Sequence, residues 1–240
     1  MGNTHRVKQT DSAMVLLSGG QDSTTCLYWA IRRYGYENVS AIGFDYGQRH
    51  IGELQCAQTI CDGLGVHFDV LALPVVNTIT ENALTRAEIP VDIVSAISTK
   101  PKDDGNNPPS VPPNTLVEGR NLLFLTYAAI YAKSRGIKIL VTGVSQTDFS
   151  GYPDCRDIFI KSTNVTLNLG FDYPFVIETP LMWLDKAQVW DLARELGVLD
   201  VIKEKTLTCY NGIPGEGCGK CPACELRRRG YEGFMRSQNK

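Results

Sequence analysis

Ala13-Met14-Val15-Leu16-Leu17-Ser18-Gly19-Gly20-Gln21-Asp22-Ser23-Thr24-Thr25 is the stretch from which the rest of the chain can be read. Its apolar first part reads as a buried strand. The two glycines that follow let the backbone approach a ligand with no Cβ in the way. Ser23, Thr24 and Thr25 then fall in the opening turn of a helix, where N–H groups lack intrahelical partners and the dipole favours an anion. Strand, glycine turn and hydroxyl-rich helix start, in that order, make a phosphate cradle. No Gly-Lys-Ser/Thr follows, so it is not a Walker loop.

The pattern continues outward. The helix leaving the cradle carries Leu27, Ala30, Ile31 and Tyr34 on one face and stops at Gly35. Val39 to Phe44 reads as a second strand and ends in the polar run Asp45-Tyr46-Gly47-Gln48-Arg49-His50. A second helix turns Ile51, Leu54, Cys61 and Leu64 inward and closes at Gly65, and 67–73 is a third strand. This alternation implies a parallel sheet with helices on both faces. Periodicity lapses over 74–118, with five prolines inside 101–113, so this segment is either a mobile surface loop or a lid. Order resumes at Gly119-Arg120-Asn121 with a helix that buries Leu122, Leu125 and Ala129. A strand over 137–144, the polar segment Ser145 to Asp157, a weaker helix over 158–169 and a short strand over 175–177 follow. Asp185 and Gln188 form a capping box, and Val189, Leu192, Ala193 and Leu196 make the stripe of the helix it opens. The fold class is therefore α/β, a doubly wound, mostly parallel sheet. The polar clusters at 18–25, 45–50 and 145–157, together with Lys186, all follow strand ends, where one crevice collects them.

Composition narrows the function. A formal net charge of −2 over 240 residues supplies no electrostatic reason for tight nucleic-acid binding. No apolar run approaches the roughly 18 residues that a membrane span needs. Residues 1–12 are polar and lack the apolar region of a signal peptide, so a cytoplasmic enzyme is expected. Of eight cysteines, four stand as Cys209-x8-Cys218-x2-Cys221-x2-Cys224. That spacing suits a tetrahedral thiolate site, with structural Zn²⁺ favoured over an iron–sulfur cluster. Cys26, Cys56, Cys61 and Cys155 read as core or loop residues. Arg227-Arg228-Arg229 reads as a solvated helix end. Lys186 opposes the dipole in the first turn of its helix; it either holds an anion or points into water.

The cradle resembles the Ser-Gly-Gly-x-Asp-Ser loop of the ATP-pyrophosphatase families. The wider set of motifs is more specific: Phe44-Asp45-Tyr46-Gly47-Gln48-Arg49-His50, Gly119-Arg120-Asn121, Thr142-Gly143-Val144, the run Asp148 to Asp157, Glu178-Thr179-Pro180-Leu181-Met182-Trp183 and Leu207-Thr208-Cys209-Tyr210-Asn211-Gly212. With these, residues 13 to about 230 resemble the 7-cyano-7-deazaguanine synthase family. The resemblance implies an adenine nucleotide alpha hydrolase-like fold and an enzyme that makes a nitrile from 7-carboxy-7-deazaguanine, ammonia and ATP. It implies an ATP segment of Leu17, Ser18, Gly19, Gly20, Gln21, Asp22, Ser23, Thr24, Thr25, Cys26 and Leu27, with Asp22 also facing Mg²⁺. It places chemistry on Asp22, Ser23, Arg120 and Lys186. Substrate contacts are expected on Asp148, Tyr152, Asp154 and Arg156, with Asp148 and Asp154 the candidates to pair with the N–H donors of the guanine-like edge. It assigns zinc to Cys209, Cys218, Cys221 and Cys224, and implies a homodimer. The expected layout is an extension over 1–12, a nucleotide domain over 13–200 with a lid-like 74–118, and a zinc segment over 201–240. No glutaminase domain fits in this length, so ammonia arrives free or from another protein. Three features depart from the family pattern: the first dozen residues, the expanded segment around 93–113, and Glu118 where proline is expected before Gly-Arg-Asn. Two rival readings stay open, a tRNA sulfurtransferase with an iron–sulfur cluster and a zinc-tailed nucleic-acid-binding module.

Overall fold

Strands β1 (Ala13–Leu16), β2 (Val39–Asp45), β3 (His67–Ala72), β4 (Ile139–Val141) and β5 (Val176–Glu178) pair in the order β3-β2-β1-β4-β5, every pair parallel. The computed structural model describes residues 11–48, 52–79, 82–85, 89, 114–147 and 152–238. In register, Ala13 lies opposite Val39 on one side and Ile139 on the other. Strand β1 is thus central, and its side chains alternate between two covered faces, which is why its sequence is continuously apolar.

Ala13, Val15, Leu17, Ala41 and Val141 point to one face. There they meet Cys26, Leu27, Ala30 and Ile31 of α1 (Gln21–Tyr34) and Ala57, Ile60 and Cys61 of α2 (Gly52–Leu64). Met14, Ile42, Phe44 and Leu140 point to the other. They meet Val76 of α3 (Val75–Ile79), Ala128, Ala129 and Ala132 of α4 (Arg120–Ser134), and Leu167 of α5 (Asp157–Phe171). The expected doubly wound sheet is present, with strand ends shifted by a few residues; β4 is shorter than 137–144. The stripe expected of α4 needs one correction. Leu122 is exposed, and the inward positions are Leu125 and the three alanines, whose small side chains let the helix lie close to the sheet.

Outside α1 lies a further helical layer of α6 (Lys186–Glu195), α7 (Leu199–Lys205) and α8 (Pro222–Gln238). Trp190, Ala193, Val198, Ile202 and Phe234 form its core, with Tyr28 of α1 packed against them. Asp185 caps α6 as its sequence implies: its side chain accepts from Gln188 N at 2.8 Å, and Gln188 Oε1 accepts from Asp185 N at 2.9 Å. Helix α8 was not legible in advance because its inward positions include Pro222, Cys224, Arg227 and Gly230 rather than an apolar stripe. Gly230 is required by contact, since a Cβ there would lie 2.5 Å from Lys186 Cβ. Helix α8 therefore braces the first turn of α6, and with it Lys186. No helix among the described residues is long and apolar enough to cross a membrane.

The arginine run divides. Arg228 and Arg229 are exposed and pair with Glu225, and Arg228 also with Glu232. Arg227 is buried, against the expectation of a solvated helix end. Its guanidinium donates to Thr206 Oγ1 (2.8 Å), Thr208 Oγ1 (2.9 Å), Ile202 O (2.6 Å) and Lys203 O (3.2 Å), and lies 5.3 Å from the Trp190 ring centre. It satisfies the last carbonyls of α7 and ties them to α8. Arg227→Met should cost about 3 kcal/mol in chemical denaturation, because several buried acceptors lose their donor at once. Arg228→Met and Arg229→Met should barely move the same curve.

Candidate active site

Strand β1 bonds β2 on one side and β4 on the other, so the chain reverses its direction of sheet growth between β1 and β4. Such a switch point leaves a crevice beyond the strand C-termini. A cavity of about 370 Å³ opens there, lined from the ends of β1, β2 and β4, from the first turns of α2 and α4, and from 207–227. The converging strand-end clusters inferred from sequence thus meet in space, although Arg49, His50 and 148–151 lie outside the described residues.

The cradle is closed on itself. Ser18 N donates to Ser23 Oγ at 3.2 Å, the two hydroxyls are 3.0 Å apart, and Gly20 N donates to Ser18 Oγ at 3.4 Å. Gly19 has φ +86°, and a Cβ there would stand 2.1 Å from Glu53 O, so the turn accepts only glycine. The C-terminal segment holds the cradle from outside: Leu207 N donates to Gly19 O at 3.0 Å, and Gln21 N to Thr208 Oγ1 at 3.4 Å. Leu17, Ser18, Gly20, Gln21, Asp22 and Ser23 line the cavity. Gly19 lies behind them, and Thr24, Thr25, Cys26 and Leu27 are fully buried, with Cys26 and Leu27 in the sheet core.

Lys186 turns inward rather than into water. Its Nζ donates to Asp22 Oδ2 at 2.7 Å, with side-chain exposures of only 13% and 30%. Asp22 Oδ1 is buried with no hydrogen-bond partner among the described residues. A buried carboxylate oxygen without a donor is costly unless a cation or a ligand donor meets it. The oxygen therefore fits a hard divalent cation, for which carboxylate and phosphate oxygens are the ordinary ligands.

The opposite wall is aromatic and charged. Phe44 and Phe124 stack with ring centres 4.3 Å apart, and Tyr46 lies 5.4 Å from Phe124. Arg120 Nη1 donates to Tyr46 OH at 3.4 Å. Burial opposes the charge on Arg120, but Tyr46, Tyr152 and Asp154 around it more than offset that and hold it above the ordinary arginine value. Glu53, in the first turn of α2, lines the same cavity. Burial pushes its carboxyl up to about 7, against the pull of Arg120. Sequence reasoning passed over Glu53, Phe124 and Tyr210, because an acid in a first turn and aromatics in a helix or loop have ordinary structural explanations.

The four substrate candidates separate. Tyr152 lines the cavity and its hydroxyl lies 2.7 Å from Thr115 Oγ1. Asp154 is buried and engaged: its Oδ2 accepts from Asn121 N at 3.0 Å, and its carbonyl from Asn121 Nδ2 at 3.2 Å. It anchors the start of α4 and so sets where Arg120 lies. Arg156 is exposed and is not among the lining residues. Asp148 is outside the described residues.

Behind the cradle, Cys209, Cys218, Cys221 and Cys224 bring their sulfurs within 4.8 Å of one another, and none is in a disulfide. Cys221 and Cys224 Sγ are 3.4 Å apart, and Cys218 and Cys224 Sγ 3.9 Å. A tetrahedron with metal–sulfur bonds near 2.3 Å has edges of about 3.8 Å, so the cluster has the right size for a metal ion. Backbone N–H groups of Asn211, Cys218 and Cys221 point at these sulfurs at 3.3–3.4 Å, donors that stabilise thiolates.

The family model described as Queuosine biosynthesis protein QueC matches residues 12–235. A protein of Clostridium acetobutylicum named 7-cyano-7-deazaguanine synthase is 58% identical, covering 94% of this chain and 96% of its own. One of Clostridium novyi with the same name is 54% identical, covering 93% and 95%. Among solved structures, the NH3-dependent NAD synthetase of Campylobacter jejuni aligns over 80% of this chain and 69% of its own, at 14% identity and a TM-score of 0.44. On the span of the family model and the identity to relatives matched almost end to end, the chain belongs to the queuosine biosynthesis protein QueC family.

Proposed function

We propose that this chain converts 7-carboxy-7-deazaguanine, ammonia and ATP into 7-cyano-7-deazaguanine, releasing AMP and pyrophosphate. The observation that carries the reading is the 58% identity, over 94% of the chain, with a relative named as that synthase. The crevice supports it, since a phosphate cradle and a charged aromatic wall face one cavity large enough for small ligands.

In this reading the substrate carboxylate attacks the α-phosphorus of ATP and pyrophosphate leaves. Charge grows on the leaving group, where the cradle N–H groups and Lys186 stabilise it. Asp22 holds Lys186 in place through Oδ2. Its unpartnered Oδ1 would hold Mg²⁺, which when bound offsets phosphate charge. Ser23 and Ser18 keep the turn closed through their paired hydroxyls. Arg120, fixed at the start of α4 by Asp154 acting on Asn121, supplies a fixed positive charge to the acid. Ammonia attacks the acyl-adenylate, AMP leaves, and the product is the amide. A second ATP adenylates the amide oxygen with release of a second pyrophosphate, and AMP then departs with that oxygen as both amide protons are lost, leaving the nitrile. Both adenylates must be kept from water, and the 74–118 segment is the proposed lid; its described part puts Leu84 on the cavity wall, while 80–81, 86–88 and 90–113 lie outside the described residues.

The reading carries further parts. Four thiolates leave a metal no open position, so Zn²⁺ in the cysteine cluster would be structural and would stabilise the 201–240 segment that buttresses the cradle. Ile158, Val165 and Leu169 form an exposed stripe along α5, a surface that a cytoplasmic homodimer would bury.

Incubation with ATP, Mg²⁺, ammonium and 7-carboxy-7-deazaguanine should yield the nitrile by mass spectrometry. AMP without nitrile would defeat the substrate assignment. Asp22→Asn should keep the circular dichroism spectrum and lower kcat by about 10²-fold or more, from loss of both the Lys186 anchor and the cation ligand. Metal analysis should find about one zinc per chain in a colourless protein, and Cys221→Ser should lose it and melt at lower temperature; a brown protein absorbing in the visible would instead favour an iron–sulfur cluster. Sedimentation should show dimers that Leu169→Asp converts to monomers.

A further inference from the structure

We propose that Glu53 reads the donor edge of the substrate, accepting hydrogen bonds from its ring N–H and exocyclic amine while the flat ring lies along the aromatic wall. The proposal rests on the function argued above and names a specificity residue for it.

The position of Glu53 is imposed by the backbone. Its carbonyl oxygen is the atom that forbids a side chain at Gly19, so the first turn of α2 is pressed directly against the cradle. From there the side chain lines the cavity together with Tyr46, Phe124 and Arg120. Among the described residues no hydrogen bond engages the Glu53 carboxyl, and no ion pair joins it to Arg120, although both line one cavity. Arg120 is compensated by Tyr46, Tyr152 and Asp154, whereas Glu53 keeps a burial cost that the unjoined arginine offsets only in part. A ligand with an acid at one end and paired N–H donors at the other gives Arg120 an anion and Glu53 its donors, and the aromatic rings lining the same cavity suit a planar ring.

The other acids are occupied elsewhere. Asp22 is bound to Lys186, and Asp154 is buried against the start of α4. Glu53 and Asp22 are the only carboxylates among the described lining residues. A carboxylate meeting two adjacent N–H groups makes the bidentate, charge-assisted pair that favours a guanine-like edge over a hypoxanthine-like one. The groups facing Glu53 are Tyr46 at the end of β2, Arg120 on α4, Tyr210 in the C-terminal segment and Cys56 on α2 itself, and all four are held above their ordinary values. None of them changes charge between pH 6 and 8, roughly the range in which Glu53 titrates.

The test compares wild-type protein with Glu53→Gln, both checked by thermal melting. KM for 7-carboxy-7-deazaguanine should rise about 10- to 100-fold in the variant while KM for ATP stays within about twofold. In the wild type that first KM should fall as pH rises from about 6 to 8, as the carboxyl ionises, and the dependence should vanish in the variant. The analogue lacking the exocyclic amine should be rejected by the wild type and accepted about equally by the variant. An unchanged KM for the acid, or equal rises for acid and ATP, would overturn the assignment. Calorimetric binding of the acid runs alongside: equal affinity in both proteins overturns the role of Glu53 whatever turnover does. Binding that depends on Glu53 without nitrile formation supports that role and faults only the proposed reaction.

Discussion

The backbone of Gly19 lies so close to the carbonyl of Glu53 that nothing larger than hydrogen fits between them. Everything around the cavity follows from that approach. It pins the turn after β1 to the first turn of α2, and hydrogen bonding between Leu207 and Gly19 pins the C-terminal segment to the same turn. The cradle is therefore held by two elements distant in sequence, the first turn of α2 and the C-terminal segment, in addition to its own hydrogen bonds. Preorganisation of this kind is what an anion site needs, because donors that must reorganise during the reaction stabilise charge poorly.

Electrostatics then divide the crevice. At the cradle a lysine and an aspartate neutralise each other at 2.7 Å and leave one carboxylate oxygen without a partner among the described residues. Elsewhere in the cavity an arginine and a glutamate line the same space, and no ion pair among the described residues joins them. In the proposed reading a cation completes the first arrangement and the substrate completes the second. The outer helices serve both, since Gly230 of α8 presses on Lys186 and Arg227 bridges α7 to Thr208, which itself contacts the cradle.

Much of this was legible in the residues. The strand–turn–helix order at 13–25, the run of parallel units and the capping box at Asp185 are local signals, set by backbone preference and apolar periodicity within a few residues. The cysteine spacing was equally plain, because x2 repeats place thiolates on one short turn whatever the fold. The motifs of the family resemblance spread over most of the chain, and the match over 12–235 agrees with them.

What only the tertiary structure decided concerns long-range contact. Whether Lys186 holds an anion site or points into water depends on α8 packing behind it. Whether an arginine in a triplet is solvated depends on which face of α8 the neighbouring α7 covers, and Arg227 alone faced inward. Asp154, expected at the substrate, and Glu53, passed over in the sequence, differ for the same reason: a carboxylate's work is set by the donors that meet it. Asp154 meets the backbone of α4, whereas Glu53 meets open cavity. Sequence determined the elements and their order because those obey local rules, and the fold determined which polar groups were spent on structure and which were left for a ligand.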